Sequence, residues 1–102
     1  MDTSLIESLH QQAELLAALS TRHLTLDTRK KLAGEELSVN AYAADCGGFI
    51  YVGSPPYRTP TEPDLATIFE AAKEAGIAWL MFDREAAIID GLTVFEAAQP
   101  ES

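Results

Sequence analysis

The chain has 102 residues, room for one hydrophobic core and, at this length, for one domain that folds without staples. Apolar residues make up 47% and charged residues 23%, which excludes the low-hydrophobicity regime of disordered chains. Seven Lys and Arg against sixteen Asp and Glu leave a formal charge of −9; that charge repels phosphate backbones and anionic headgroups, so direct nucleic-acid or membrane binding is not expected. No apolar run approaches the ~18 residues of a bilayer span, and Met1-Asp2-Thr3-Ser4 lacks the basic flank of a signal peptide, so a cytoplasmic location is expected. Cys46 is the single cysteine, which leaves no intramolecular disulfide and no cysteine-rich zinc site to build.

Residues 5–19 carry apolar side chains at 5, 6, 9, 13, 16 and 17, the spacing of one helical face, and Ser4 with Glu7 three residues on forms a capping box. An N-terminal amphipathic helix is therefore predicted within 1–19, and His10, beside Gln11 and Gln12, falls on its polar side. Residues 20–24, Ser-Thr-Arg-His-Leu, read as a brief strand or extended connector. Thr25 then precedes Leu26 to Gly34, where an acidic start, a basic end and a trailing glycine match the helix dipole and stop signal.

Residues 37–44 and 49–52 are apolar runs separated by Asp45-Cys46-Gly47-Gly48, the pattern of a β-hairpin. Alternation sets Val39, Ala41 and Ala43 on one side and Asn40, Tyr42 and Ala44 on the other. Gly47-Gly48 is read as turn chemistry rather than as a close approach to a ligand. Residues 54–60, Ser-Pro-Pro-Tyr-Arg-Thr-Pro, cannot continue a sheet because proline lacks the ladder donor. Thr61 is the expected cap of a helix that has Pro63 in its first turn, Asp64 completing a capping box, an apolar stripe of Leu65, Ile68, Phe69, Ala72 and Ala75, and a stop at Gly76. Residues 77–83 are nearly continuous apolar sequence, expected as a strand covered on both faces or central in the sheet, with Trp79 and Met81 in the core. Residues 84–89 fit a helical turn, Asp90-Gly91 a turn, and 92–96 a last strand, with a frayed tail at 97–102.

These elements predict an α+β class: a small single domain with a mixed or antiparallel sheet of three to five strands and two or three helices mainly on one face, residues 20–96 forming the core. Particular residues also carry a likeness. Ser20-Thr21-Arg22-His23-Leu24, Gly48-Phe49-Ile50-Tyr51-Val52, Phe82-Asp83 and Gly91-Leu92-Thr93-Val94-Phe95 resemble a bacterial family of unknown function, over most of the chain from Ser20 to Phe95. Its members look like accessory proteins of plasmids, integrative elements and genomic islands. The resemblance implies a genomic setting and no established activity.

Among side chains with chemistry, His23, Asp83, Tyr51 and Cys46 fall at or near strand ends, where loops collect polar groups. His23, Asp83 and Cys46 supply the residue types of a base, an orienting carboxylate and a thiol nucleophile. A structural role competes: a half-buried His23 bonded to a carboxylate or backbone group. Two histidines thirteen residues apart with scattered carboxylates match no metal-ligand spacing, so neither a metal nor a cofactor is expected. Two functions follow. The first is a non-enzymatic acidic interaction protein, an accessory factor of a mobile element that binds and modulates or inhibits another protein with a basic surface, through Tyr51, Tyr57, Arg58 and Glu62 or through the N-terminal helix, which could also pair two copies. A DNA mimic is its sharpest form. The alternative is a small hydrolase or transferase using His23 and Asp83 with Cys46.

Overall fold

Among the described residues four strands form one mixed sheet. The computed structural model describes residues 3–53 and 59–95, which run α1 (Thr3–Gln12), β1 (Leu16–Leu19), a 3-10 turn at Thr21–His23, α2 (Leu26–Ala33), β2 (Ala41–Ala44), β3 (Gly47–Tyr51), α3 (Pro63–Ala75) and β4 (Trp79–Asp83). The spatial order is β1-β4-β3-β2. β4 is central, parallel to β1 and antiparallel to β3, as its uninterrupted apolar sequence leads one to expect. The class is α+β.

β2 and β3 form the expected hairpin, with Ala44 opposite Gly47 across the two-residue turn Asp45-Cys46. The two glycines lie in β3 rather than in the turn, and close packing explains them. A Cβ on Gly47 would stand 1.9 Å from the Phe82 carbonyl oxygen, and one on Gly48 would stand 2.7 Å from the Tyr42 oxygen and 2.8 Å from Leu32 Cδ1. The absent side chains let β4 and α2 close onto β3.

One face of the sheet carries the core, with an apolar groove of about 380 Å³ left between β1, α3 and residues 89–92. Leu19, Ile50, Leu80 and Phe82 point to that face and pack with Leu24, Leu32, Leu65, Ile68, Phe69 and Ala72, contributed by α2, α3 and their connections. Phe69 and Phe82 are fully enclosed, each stabilising by about 1.5–3 kcal/mol through burial. The helix termini hold the layer in place. Thr25 caps α2, its hydroxyl accepting from the Thr28 N–H at 3.2 Å. Gly76 ends α3 in the left-handed conformation at φ 73°, where glycine avoids the Cβ penalty.

Several expected elements differ. The first helix stops at Gln12, and Leu16–Leu19 is a strand; pairing with β4 and burial of Leu19 override the high helix propensity of Leu and Ala. Residues 21–23 are a 3-10 turn rather than a strand, capped by the Ser20 hydroxyl, which accepts from the Arg22 N–H at 3.1 Å. α3 is capped by Glu62 without a side-chain bond, not by Thr61. Asp64 does not close its own helix but accepts the Thr25 N–H and the Thr28 hydroxyl, both at 2.9 Å, tying the start of α3 to the start of α2. Residues 84–86 form a turn, with Ala86 N–H on the Asp83 oxygen at 3.0 Å, not a helix. Thr93 to Phe95 form no strand, although the Phe95 N–H donates to the Arg22 carbonyl at 2.7 Å.

Candidate functional site

Strand alternation sends the second set of β-residues to the opposite face. Tyr42, Phe49, Tyr51, Trp79, Met81 and Leu16 lie there by register, and none is buried. Tyr42 is 53% and Leu16 47% exposed. The rings form a row across three strands: Tyr51 and Trp79 have centroids 4.6 Å apart, and Tyr42 and Trp79 6.3 Å, separations typical of tilted aromatic pairs. The indole N–H of Trp79 donates to Glu14 Oε1 at 3.1 Å. α2 and α3 spend their buried apolar residues on the core face, and α1 has no buried residue, so no described helix covers this one. Tyr51 is singled out in the sequence, whereas Trp79 and Met81, expected in the core, are only partly buried. The missed signal is that Phe49 and Tyr51 alternate with Ile50 and Val52, making β3 apolar on both faces.

The polar candidates separate. His23 is buried, 1% exposed. Its Nε2 accepts the Ile89 N–H at 3.0 Å, which leaves Nδ1–H to donate to the Thr93 carbonyl at 2.9 Å. Both ring nitrogens are thus committed to backbone, and the imidazole ties residues 89–93 to the 3-10 turn. It adjoins a cavity of about 240 Å³ shared with Asp64, Thr67 and Leu92, whereas Cys46 lines a different one of about 220 Å³ with Thr21, Arg29 and Arg84.

Cys46 and Asp83 do meet, because Gly47 pairs with Asp83 and the Arg84 N–H reaches the Cys46 carbonyl at 3.0 Å. Desolvation first, and the adjoining Asp83 carboxylate second, push the Cys46 thiol above its ordinary range. A thiol held protonated is a poor nucleophile. Asp83 Oδ1 also accepts the Glu85 N–H at 2.8 Å. Tyr51 pairs with Trp79 at the far end of the same strands, four residues or roughly 13 Å from Gly47. The structure brings two of the three catalytic candidates together and not the third.

Glu62 is turned inward, 5% exposed. Its carboxylate accepts the Ser38 hydroxyl at 2.6 Å and the Ser38 N–H at 3.2 Å, and the Ser38 oxygen in turn accepts the Thr61 N–H at 2.9 Å. Burial opposes ionisation, but the Ser38 hydroxyl, backbone N–H groups and the charge of Lys31 outweigh it and hold the carboxyl below its usual range. Tyr57 and Arg58 lie outside the described residues. Among the described residues no cluster of three or more His, Cys, Asp or Glu could hold a metal ion, and no helix is long and apolar enough to cross a membrane.

No curated protein and no solved structure matches the chain. A family model does, over residues 16–97, which include every strand and omit α1; it is described as the C-terminal domain of a family of unknown function, DUF5983. On a match of that extent, the chain belongs to this family.

Proposed function

We propose that the protein is a non-enzymatic binding module whose contact surface is the open aromatic face of the sheet. The observation that carries this reading is the row of rings, exposed Tyr42 with partly exposed Trp79 and Tyr51, on the sheet face opposite the core. An apolar, aromatic-rich area left open on a small acidic protein fits a protein interface, where Trp and Tyr anchor most of the binding energy. The surrounding charge of −9 favours approach by a partner with a basic rim. The likeness to accessory proteins of mobile elements adds a setting: a factor that binds and modulates or inhibits another protein. That part rests on the resemblance alone.

A hydrolase or transferase built on His23, Asp83 and Cys46 has weaker support, because His23 has no ring nitrogen left to act as a base and the thiol is held protonated. The test is a photo-crosslinking residue at position 42 of the full chain, expressed in the native host. A heterologous adduct is expected that excess wild-type protein suppresses and excess Tyr42→Glu protein does not. Equal suppression by both would remove the open face from the interface.

A further inference from the structure

The two edges of the sheet differ in what becomes of their backbone. β2 forms one edge, and its outward Ala43 N–H donates to Glu35 Oε2 at 2.9 Å. β1 forms the other edge. There the Trp79 N–H donates to the Leu15 carbonyl at 3.2 Å, and in the parallel register with β4 this aims the backbone of Ala17 and Leu19 at β4 and that of Leu16 and Ala18 outward. Leu16 and Ala18 are exposed, and among the described residues no turn or loop backbone bonds their N–H or C=O groups. The strand, Leu-Ala-Ala-Leu, also carries none of the charges or prolines that commonly block a sheet edge.

The apolar groove of the core face lies beside this open edge. β1 lines it with Ala17 and Leu19, α3 with Ala71 and Ala75, and residues 89–92 complete the lining around about 380 Å³, a volume within the range of ligand sites. The 89–92 segment is held in place: the Ile89 N–H donates to Nε2 of buried His23 at 3.0 Å, and the Leu92 N–H to the Ile89 carbonyl at 3.2 Å. Ile89 nevertheless remains 39% exposed.

Ladder and groove together specify an occupant. Open N–H and C=O groups at every second residue of a strand are matched by the backbone of another extended segment, and the side chains of such a segment alternate between the two faces. A strand laid beside β1 therefore turns every second side chain toward the groove, which takes apolar ones. Charge sets the flanks. Asp90 is the one charged residue of the lining, exposed Glu74 neighbours Ala71 on the helix surface, and the chain carries −9, so Lys or Arg beside the apolar residues is favoured. The same acids oppose an edge-to-edge pair of copies.

We propose that β1 is a docking edge: it takes an extended, basic-flanked segment of another protein as an added strand, with alternate apolar side chains in the groove between β1, α3 and residues 89–92. The site is separate from the aromatic face and does not depend on it.

Selection of random linear peptides displayed on phage against the full chain tests this. Enriched peptides are expected to carry apolar residues at every second position beside Lys or Arg, and the synthetic peptide to bind more weakly as salt rises. In the wild-type protein it should slow amide exchange at Leu16 and Ala18, with little change at Ala17 and Leu19. Ala18→Pro removes an outward N–H and no bond to β4, a change that edge strands accept, and is expected to weaken binding by about tenfold or more. Ala75→Arg, at an exposed helical position, obstructs the groove and should weaken binding likewise with cooperative melting retained. Failure to enrich any peptide, or enriched peptides that leave the Leu16 and Ala18 amides unprotected, overturns the proposal. Binding blocked by Tyr42→Glu and indifferent to both edge variants overturns it while supporting the aromatic face. Binding blocked by the edge variants and indifferent to Tyr42→Glu supports the docking edge whatever the aromatic face does. A doubling of the 11.0 kDa mass that Ala18→Pro abolishes, without peptide binding, gives the edge to a second copy and overturns the peptide occupant.

Discussion

Replacing Glu62 removes a buried acceptor on which three backbone or side-chain donors converge directly or at one remove. In Glu62→Ala the Ser38 hydroxyl loses its partner at 2.6 Å and the Ser38 N–H its partner at 3.2 Å. Hydrogen bonds to a charged acceptor are worth about 1.5–3 kcal/mol each and do not add fully, so a loss of about 2–4 kcal/mol is expected. At about 4–8 °C per kcal/mol for a domain this small, the melting temperature falls by roughly 10–25 °C. Glu62→Gln keeps one acceptor oxygen but sets an amide N–H against the Ser38 N–H, for about 1–2 kcal/mol. The folded carboxyl titrates below its unfolded value, so its stabilisation is full above the unfolded Glu value of about 4.3 and fades as pH falls through the lower folded value. Urea titrations of wild type and Glu62→Gln at neutral pH and in steps below pH 4 therefore separate at neutral pH and converge in acid. A neutral-pH difference under about 0.5 kcal/mol, the usual surface effect, or a gap that does not narrow in acid, would refute the reasoning.

Other perturbations probe the remaining claims. His23→Ala orphans the Ile89 N–H and the Thr93 carbonyl and is expected to cost about 2–4 kcal/mol in chemical denaturation; an unchanged midpoint would show that the imidazole is not a structural tie. Gly47→Ala forces a Cβ to 1.9 Å from the Phe82 oxygen and is expected to destabilise by more than about 3 kcal/mol, read as loss of cooperative melting. Tyr42→Glu, at an exposed position, should leave stability within about 0.5 kcal/mol while abolishing the crosslink competition; a large loss of stability would mean that the ring is part of the core. Cys46, held protonated by desolvation and by Asp83, should alkylate more slowly at neutral pH than an unstructured thiol, and Asp83→Asn should speed it. A faster native rate would reopen the nucleophile reading.

The local signals that survive folding are those whose physics is local. Thr25 with the basic residues near Gly34, and Pro63 with Gly76, mark the ends of α2 and α3 because caps, dipole and proline geometry act within one turn. The two apolar runs around Asp45-Cys46 mark the hairpin for the same reason. The central place of β4 is legible from its apolar length.

What the sequence could not decide depends on partners distant along the chain. Leu16–Leu19 has helical composition and becomes a strand because β4, more than sixty residues later, offers a parallel ladder. Asp64 has the position of a capping-box acid and serves another helix. His23, Cys46 and Asp83 form a plausible set of residue types, yet the fold gives the histidine to the backbone of residues 89 and 93 and leaves the other two together. Length, composition and charge by themselves determined one small acidic domain, and local periodicity with cap and turn residues an α+β class with two or three helices and a hairpin. Only the tertiary structure decided that α2 and α3 build the core on one face, that α1 keeps its apolar stripe exposed, and that Tyr42, Tyr51 and Trp79 share the other face, because a strand's pattern states which residues share a face but not what covers it.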